Sequence, residues 1–363
     1  MIRPRLPWLV TAAALAACSG KPADKSRPVA GSGDEPATGS GSGSAAVGLD
    51  HANVRLPPAP PVPPPPAALP SPRAEATPTP AMVALGEALF FEPRLAADDR
   101  TSCATCHDPD HDFAGTGVQA TATGKPNLRH APSLRNLAWQ RELGWDGRYP
   151  ALKNVMLQHW RGQLGLDPSL AIQKLADVPL YRAHFQRAAQ REPDGGVALE
   201  ALAAFAITRF SGDAPWDRVE RGELPEDPTL RAGYALFTGK AQCATCHPPP
   251  LYTDLGYHRL GLIASPDDGR GRVDRDASGA FKTPSLRGAA SRLAFFHDGS
   301  ATSLEAAIDW HLAGGVGQGA DRSIVDPALA VVELTPTERE QLIAFVRALT
   351  PTSDPYPRPL LVP

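Results

Sequence analysis

The stretch CATCH spans residues 103–107 and returns, letter for letter, at 243–247. Each copy reads Cys-x-x-Cys-His, the spacing that attaches a c-type haem. Two thiols about one helical turn apart reach the two vinyl groups of one haem. The next residue, His107 or His247, is then held under the iron as proximal ligand. Four of the five cysteines, Cys103, Cys106, Cys243 and Cys246, are used in this way. One four-cysteine zinc site or a redox disulfide would account for the cysteine pairs. Neither accounts for a histidine after both. The phrases before the two copies are also similar, Gly86-Glu87-Ala88-Leu89-Phe90 and Gly233-Tyr234-Ala235-Leu236-Phe237. Two related modules are therefore expected, each with its own covalent haem.

The fifth cysteine, Cys18, follows Arg3, Arg5, an apolar run from Leu6 to Ala17 and the small-residue phrase Leu15-Ala16-Ala17. That is the pattern of a bacterial lipoprotein signal, cut before the cysteine so that Cys18 carries lipid. An ordinary export signal with a bystander cysteine is the alternative. Both predict an exported, periplasm-facing protein, in keeping with haem attachment outside the cytoplasm. Membrane contact is expected through the lipid anchor only, because no segment reaches about 18 consecutive apolar residues. Residues 1–17 hold two of the 36 basic residues and none of the 39 acidic ones, so their loss changes the net charge from −3 to −5. That balance gives no sign of nucleic-acid binding.

Residues 18–80 read as a tether: GSGDEPATGSGSGS at 31–44 is flexible by composition. PPAPPVPPPP at 57–66 favours extended polyproline II. Beyond the tether, helical patterns recur at 81–91, 151–160, 168–176, 197–210, 228–238, 303–312 and 336–349, with few strand signals. Thr335-Pro336 reads as an N-cap followed by a first-turn proline. The expected fold is all-α. It has two cytochrome c-like haem domains at 81–220 and 221–350 and a tail at 351–363, with the boundary in the breaker-rich segment 211–227.

The motif order LFFEPRL, CATCH, RHAPSLRN, WDGR, ALFTGKAQCATCH, FKTPSLR, FFHDGS and SLEAAIDWHLAGG resembles that of the bacterial di-haem cytochrome c peroxidases and their MauG-like relatives. The resemblance covers about 81–350. It implies that the N-terminal haem meets hydrogen peroxide. The C-terminal haem takes electrons from a small cytochrome c or cupredoxin, and the WDGR tryptophan, Trp145, relays charge between them. It also allows a homodimer. Trp160 and Trp310 are read as core.

Several family features are altered. The three methionines, Met1, Met82 and Met156, all precede the second CATCH, so a methionine ligand from the second domain is excluded by counting. The matching position is His311, which predicts bis-histidine ligation by His247 and His311, with His258 and His297 as alternatives. Imidazole is a stronger donor than thioether and lowers the potential. The loop 112–129 lacks the distal histidine of other peroxidases, so an open iron is expected at the first haem. His111 lies too near the attachment site to replace it. The family's acid–base glutamate is also missing, because residues 143–191 contain no glutamate and Gln163 stands at the nearest match. Glutamine hydrogen-bonds peroxide but carries no proton. His159, on about the same helical face, is the candidate proton carrier, and Asp167 is a further one. Where the family holds calcium between its domains, this chain offers His130, Arg292 and Ala294, so no calcium is expected. Three functions follow: peroxide reduction, MauG-like oxidation of a protein or small-molecule substrate, or electron carriage without peroxidase chemistry.

Overall fold

The computed structural model describes residues 54–72, 77–262, 267–315, 322–352 and 356–359, which fall within one compact unit. The export signal, Cys18 and the 31–44 stretch lie outside the described residues. The structure is helix-rich. Its main helices are α1 (Pro80–Phe91), α2 (Cys103–Cys106), α3 (Leu152–His159), α4 (Pro168–Gln173), α5 (Pro179–Ala189), α6 (Gly195–Ile207), α7 (Pro215–Glu220), α8 (Pro228–Thr238), α9 (Leu304–Leu312) and α10 (Pro336–Arg347). Among the described residues there is one sheet, of two strands: β1 (Tyr257–His258) pairs antiparallel with β2 (Phe281–Lys282), Tyr257 opposite Lys282. No helix among the described residues is long and apolar enough to cross a membrane.

The helix starts follow from their first residues. Thr79, Asp194, Asp227, Ser303 and Thr335 accept backbone N–H groups that the first turns of α1, α6, α8, α9 and α10 leave unpaired. Thr335 and Glu338 form a reciprocal capping box, with Pro336 in the first turn. The repeated glycine has a packing reason. A Cβ on Gly86 would lie 1.9 Å from the carbonyl oxygen of Ala201, and one on Gly233 would lie 2.1 Å from that of Gln341. Bare glycine thus lets α1 cross α6 and α8 cross α10 at backbone contact. At each crossing the facing helix supplies a fully buried phenylalanine, Phe205 or Phe345. Two apolar cores result. One includes Leu85, Leu89, Phe90, Trp160 and Phe205; the other includes Trp216, Phe237, Leu342 and Phe345.

Two helices were not legible in the sequence. In α5 only Tyr181 and Phe185 are buried, too narrow a stripe to stand out. The α7 helix lies inside the segment expected to be a boundary, and its Trp216 and Val219 belong to the second core. Its Asp217 is buried against Arg287, at 2.7 and 2.8 Å. The proline-rich stretch carries no regular element, yet it is docked on the body. Arg187 Nη1 donates to the Pro57 carbonyl at 2.6 Å, Val62 packs on the first core, and the Trp139 indole donates to the Pro70 carbonyl at 2.9 Å. From the tail, Tyr356 stands 5.2 Å from the Phe113 ring, and its hydroxyl accepts from Arg209 at 2.8 Å.

Candidate haem sites and the residues between them

In the first half, Ser102 and Thr105 close the start of α2, the Ser102 N–H donating to Thr105 Oγ1 at 2.9 Å. This turn holds Cys103 and Cys106 on the wall of a cavity of about 610 Å³ and points His107 into it. His107 Nδ1 lies 3.2 Å from the Phe113 carbonyl oxygen, which leaves Nε2 for the cavity. Burial, then the nearby His159, pushes the His107 pKa down to about 4, so the ring is neutral.

The second half repeats this arrangement. Cys243, Cys246 and His247 line a cavity of about 180 Å³, and His247 Nδ1 lies 3.0 Å from the Tyr252 carbonyl oxygen. Across this cavity α9 presents His311, whose Nδ1 lies 2.7 Å from the carbonyl of Ala307 one turn earlier. The two rings face each other with centres 6.4 Å apart and planes at 68°. The alternatives are engaged elsewhere. His258 has Nδ1 2.6 Å from Asp326 and Nε2 2.8 Å from Asp254. His297 is stacked on Phe281, with centres 3.6 Å apart and planes at 9°.

His159 ends α3, and Gln163 lies in the π-helical turn Trp160–Leu164 that continues it. Both line the first cavity. Gln163 Oε1 is buried without a hydrogen-bond partner among the described residues. Burial, then the Arg148 charge, lowers the His159 pKa, while the Val155 carbonyl one turn earlier opposes them. His159 stands to Val155 as His311 stands to Ala307. Asp167, by contrast, is committed elsewhere: it caps α4 by accepting from the Ser169 N–H at 3.0 Å and pairs with Arg161 at 2.7 Å. His111 Nδ1 is turned to the Ser291 carbonyl at 3.1 Å.

Trp145 lines both cavities and is 8 % exposed. Its Nε1–H donates to the His130 carbonyl at 2.9 Å, and its own carbonyl accepts from the Lys282 N–H at 2.8 Å. The His130 ring stands edge-on to the indole at 5.3 Å and bonds the Phe296 carbonyl through Nε2. Arg292 pairs with Asp112 at 2.7 Å. Trp160 is core, with its indole donating to the Leu95 carbonyl at 3.0 Å. Trp310 is only half-buried and donates to the Leu260 carbonyl at 2.9 Å.

Sequence reasoning missed the two carbonyls that orient the proximal rings. Phe113 and Tyr252 both have φ of +53°, a left-handed conformation unusual for an aromatic residue. A signal existed in the repeated PSLR at 132–135 and 284–287. Ser133 Oγ donates to the Asp112 carbonyl and Ser285 Oγ to the Leu251 carbonyl, each one residue before the orienting carbonyl.

Residues 80–224 match the family described as di-haem cytochrome c peroxidase. A methylamine utilization protein MauG of Methylorubrum extorquens is 37 % identical over 280 residues, covering 74 % of this chain and 78 % of the relative. The chain belongs to the di-haem cytochrome c peroxidase and MauG family. A cytochrome-c peroxidase, IdrP2, of Denitromonas iodatirespirans is 29 % identical over 307 residues, covering 74 % of this chain and 81 % of that one. The crystal structure of a MauG-like protein associated with microbial copper homeostasis superposes with a TM-score of 0.70. It shares 25 % identity and covers 79 % of this chain and 94 % of the other.

Family membership implies c-type haems, and the cavities can be tested against them. A metal-bound imidazole nitrogen sits about 2 Å from the metal, so the ring centre is about 3 Å away. Two imidazoles on opposite sides of one metal then have centres about 6 Å apart, and His247 and His311 stand 6.4 Å apart. Ligating histidines usually donate their other N–H to a carbonyl or carboxylate. His107, His247 and His311 each have Nδ1 against a backbone carbonyl. The residues fit the group.

Proposed function

We propose that the protein is an exported di-haem peroxidase that reduces hydrogen peroxide to water with electrons from a small cytochrome c or cupredoxin. Cys103 and Cys106 would bind one haem covalently, and Cys243 and Cys246 the other. His107 would ligate the first iron, and His247 and His311 would ligate the second. The observation that carries this reading is the difference between the sites. An imidazole stands opposite His247 at 6.4 Å. The first cavity is instead lined by Gln163, whose buried amide oxygen has no partner among the described residues, and by His159 one helical turn before it.

A bound haem iron supplies a coordination site for peroxide and the electron transfer. The chain supplies proton handling. His159, neutral through burial, takes a proton from the near peroxide oxygen and returns it to the leaving one. Gln163 orients the peroxide through its side-chain amide without exchanging protons. Each turnover consumes two electrons and two protons and releases two waters. Trp145 carries the electrons between the sites. Its N–H rests on a carbonyl, which cannot take a proton, so the indole passes charge without changing its protonation.

His130, bonded to the Phe296 carbonyl, and Arg292, paired with Asp112, stand at the positions where the resemblance puts calcium ligands, and we propose that the protein is calcium-independent. The N-terminal pattern supports export and a lipid anchor at Cys18. A second reading, oxidation of a protein or small-molecule substrate, is favoured by the 37 % identity to a protein named MauG. Trp145 would serve either direction of flow.

The test is the rate of reaction with peroxide. His159→Leu should slow it about 10²–10⁴-fold, the range for losing a general acid–base group. Gln163→Glu should restore part of the loss. A His159→Leu protein that reacts as fast as the parent would overturn the assignment, and an unreactive parent would leave the electron-carrier reading.

A further inference from the structure

Tyr257 packs on the turn that carries Trp145. Its hydroxyl lies against Gly147, two residues from Trp145 in the WDGR turn; a Cβ on Gly147 would sit 1.7 Å from it. Only glycine fits there, and its φ of +67° also suits glycine. On β1, Tyr257 pairs with Lys282, whose N–H holds the Trp145 carbonyl. The phenol and the indole are therefore anchored to one turn and one strand residue.

The hydrogen-bond acceptors of the two rings differ in kind. The Trp145 N–H meets a carbonyl, but the Tyr257 O–H donates to the Glu142 carboxylate at 2.6 Å. A carboxylate can accept a proton. Glu142 is 42 % exposed, so that proton has a path to solvent. The Arg270 guanidinium lies 4.2 Å from the Tyr257 ring centre and 3.1 Å from Glu142. A cation in that position opposes a positively charged phenol radical. Oxidation of this ring therefore requires that its proton leave with the electron.

We propose that Tyr257, with Glu142 as its base, is a proton-coupled redox site that parks an oxidising equivalent beside Trp145 when no donor is bound. This rests on the peroxidase reading and on the Trp145 relay. The step balances with hydrogen peroxide as the oxidant. Peroxide takes two electrons and two protons to become two waters. One electron would come from Tyr257 by way of Trp145 and the other from a bound haem; the two protons would come from solvent, to which Glu142 returns the one it takes from Tyr257. The Tyr257 O–H bond breaks, its proton passes to Glu142, and Trp145 returns to its closed-shell state. A neutral tyrosyl radical is left on residue 257.

Two other tyrosines also donate to carboxylates: Tyr181 to Glu92, and Tyr356 to Glu87. Both belong to the first apolar core instead of the relay turn. Tyr149 also packs on the relay turn, 3.4 Å from where a Cβ on Gly144 would sit, and lies beside His159 with ring centres 5.8 Å apart, without the carboxylate partner that Tyr257 has. These three serve as controls.

The experiment is electron paramagnetic resonance on the di-haem protein, frozen after one equivalent of peroxide without donor, with spin trapping and peptide mapping of the trapped site. A tyrosyl signal is expected in the parent and its loss in Tyr257→Phe. It should persist in Tyr149→Phe, Tyr181→Phe and Tyr356→Phe. Glu142→Gln should cut the radical yield severalfold. An unchanged low-spin haem signal in Tyr257→Phe would show that the variant is folded. A tyrosyl signal that survives Tyr257→Phe, or maps to another tyrosine, overturns the inference while the consumption of peroxide leaves the peroxidase reading intact. A parent protein that peroxide does not alter at all overturns both.

Discussion

Arg287 offers a prediction whose size can be worked out from its surroundings. It is 1 % exposed and forms a two-pronged bond to Asp217 at 2.7 and 2.8 Å, while its Nε donates to the Pro250 carbonyl at 2.7 Å. Its guanidinium lies over the Tyr252 ring, the residue whose carbonyl orients His247. Arg287→Met would leave the Asp217 carboxylate buried, with the Ala214 N–H at 2.9 Å still donating to it. Removing one partner of a buried ion pair costs about 3–5 kcal/mol. For a body of this size, 1 kcal/mol corresponds to about 2–4 °C, so a fall in Tm of about 6–20 °C is expected. The double variant Asp217→Leu with Arg287→Met should recover part of this, because the stranded charge is gone. A deficit of about 2 kcal/mol should persist from the unpaired Pro250 carbonyl and the Ala214 N–H that loses its acceptor. Urea unfolding followed by far-ultraviolet circular dichroism of all four proteins completes the cycle. A single variant within about 1 kcal/mol of the parent, or a double variant no better than the single, would refute the reasoning.

Two further outcomes concern the packing and the contact between the halves. Gly233→Ala should destabilise by at least about 1–3 kcal/mol, since the added Cβ meets backbone on α10 and no side chain can move aside; equilibrium unfolding checks it. Burial raises the Asp267 pKa, but the Arg129 hydrogen bonds and the Gly269 N–H outweigh it and hold the pKa at about 2, below the model-peptide 3.8. A depressed carboxylate pKa stabilises the fold above its unfolded value and loses that effect as pH falls through its folded value. Asp267→Asn should therefore cost about 2 kcal/mol at pH 7, and the gap to the parent should close between about pH 4 and pH 2.

The helices that the sequence revealed are those with polar caps and wide apolar stripes, as in α1, α8 and α10. Gly86 and Gly233 could be paired by eye, though only the helix crossings give the reason for them. Counting methionines excluded a thioether ligand, the family resemblance pointed to His311, and the structure brings it opposite His247. What stayed hidden depends on contacts distant in sequence or on backbone atoms. The Phe113 and Tyr252 carbonyls have no side-chain signature. Asp167 looked like a proton carrier because capping and catalysis use the same residue type. The proline-rich stretch reads as a spacer by composition, since its docking is carried by Arg187 and Trp139 more than 60 residues away. Tyr257 and Glu142 are 115 positions apart and carry no motif.

The two proposed haem sites differ: the first would keep one face of its iron open, and the second would have His247 and His311 as ligands. Electron paramagnetic resonance of the ferric protein, with His311→Ala beside it, tests this most directly. One high-spin and one low-spin bis-histidine signal are expected in the parent, the low-spin signal being lost in His311→Ala while the high-spin signal remains. Two low-spin signals in the parent, or a low-spin signal that survives His311→Ala, would contradict this assignment.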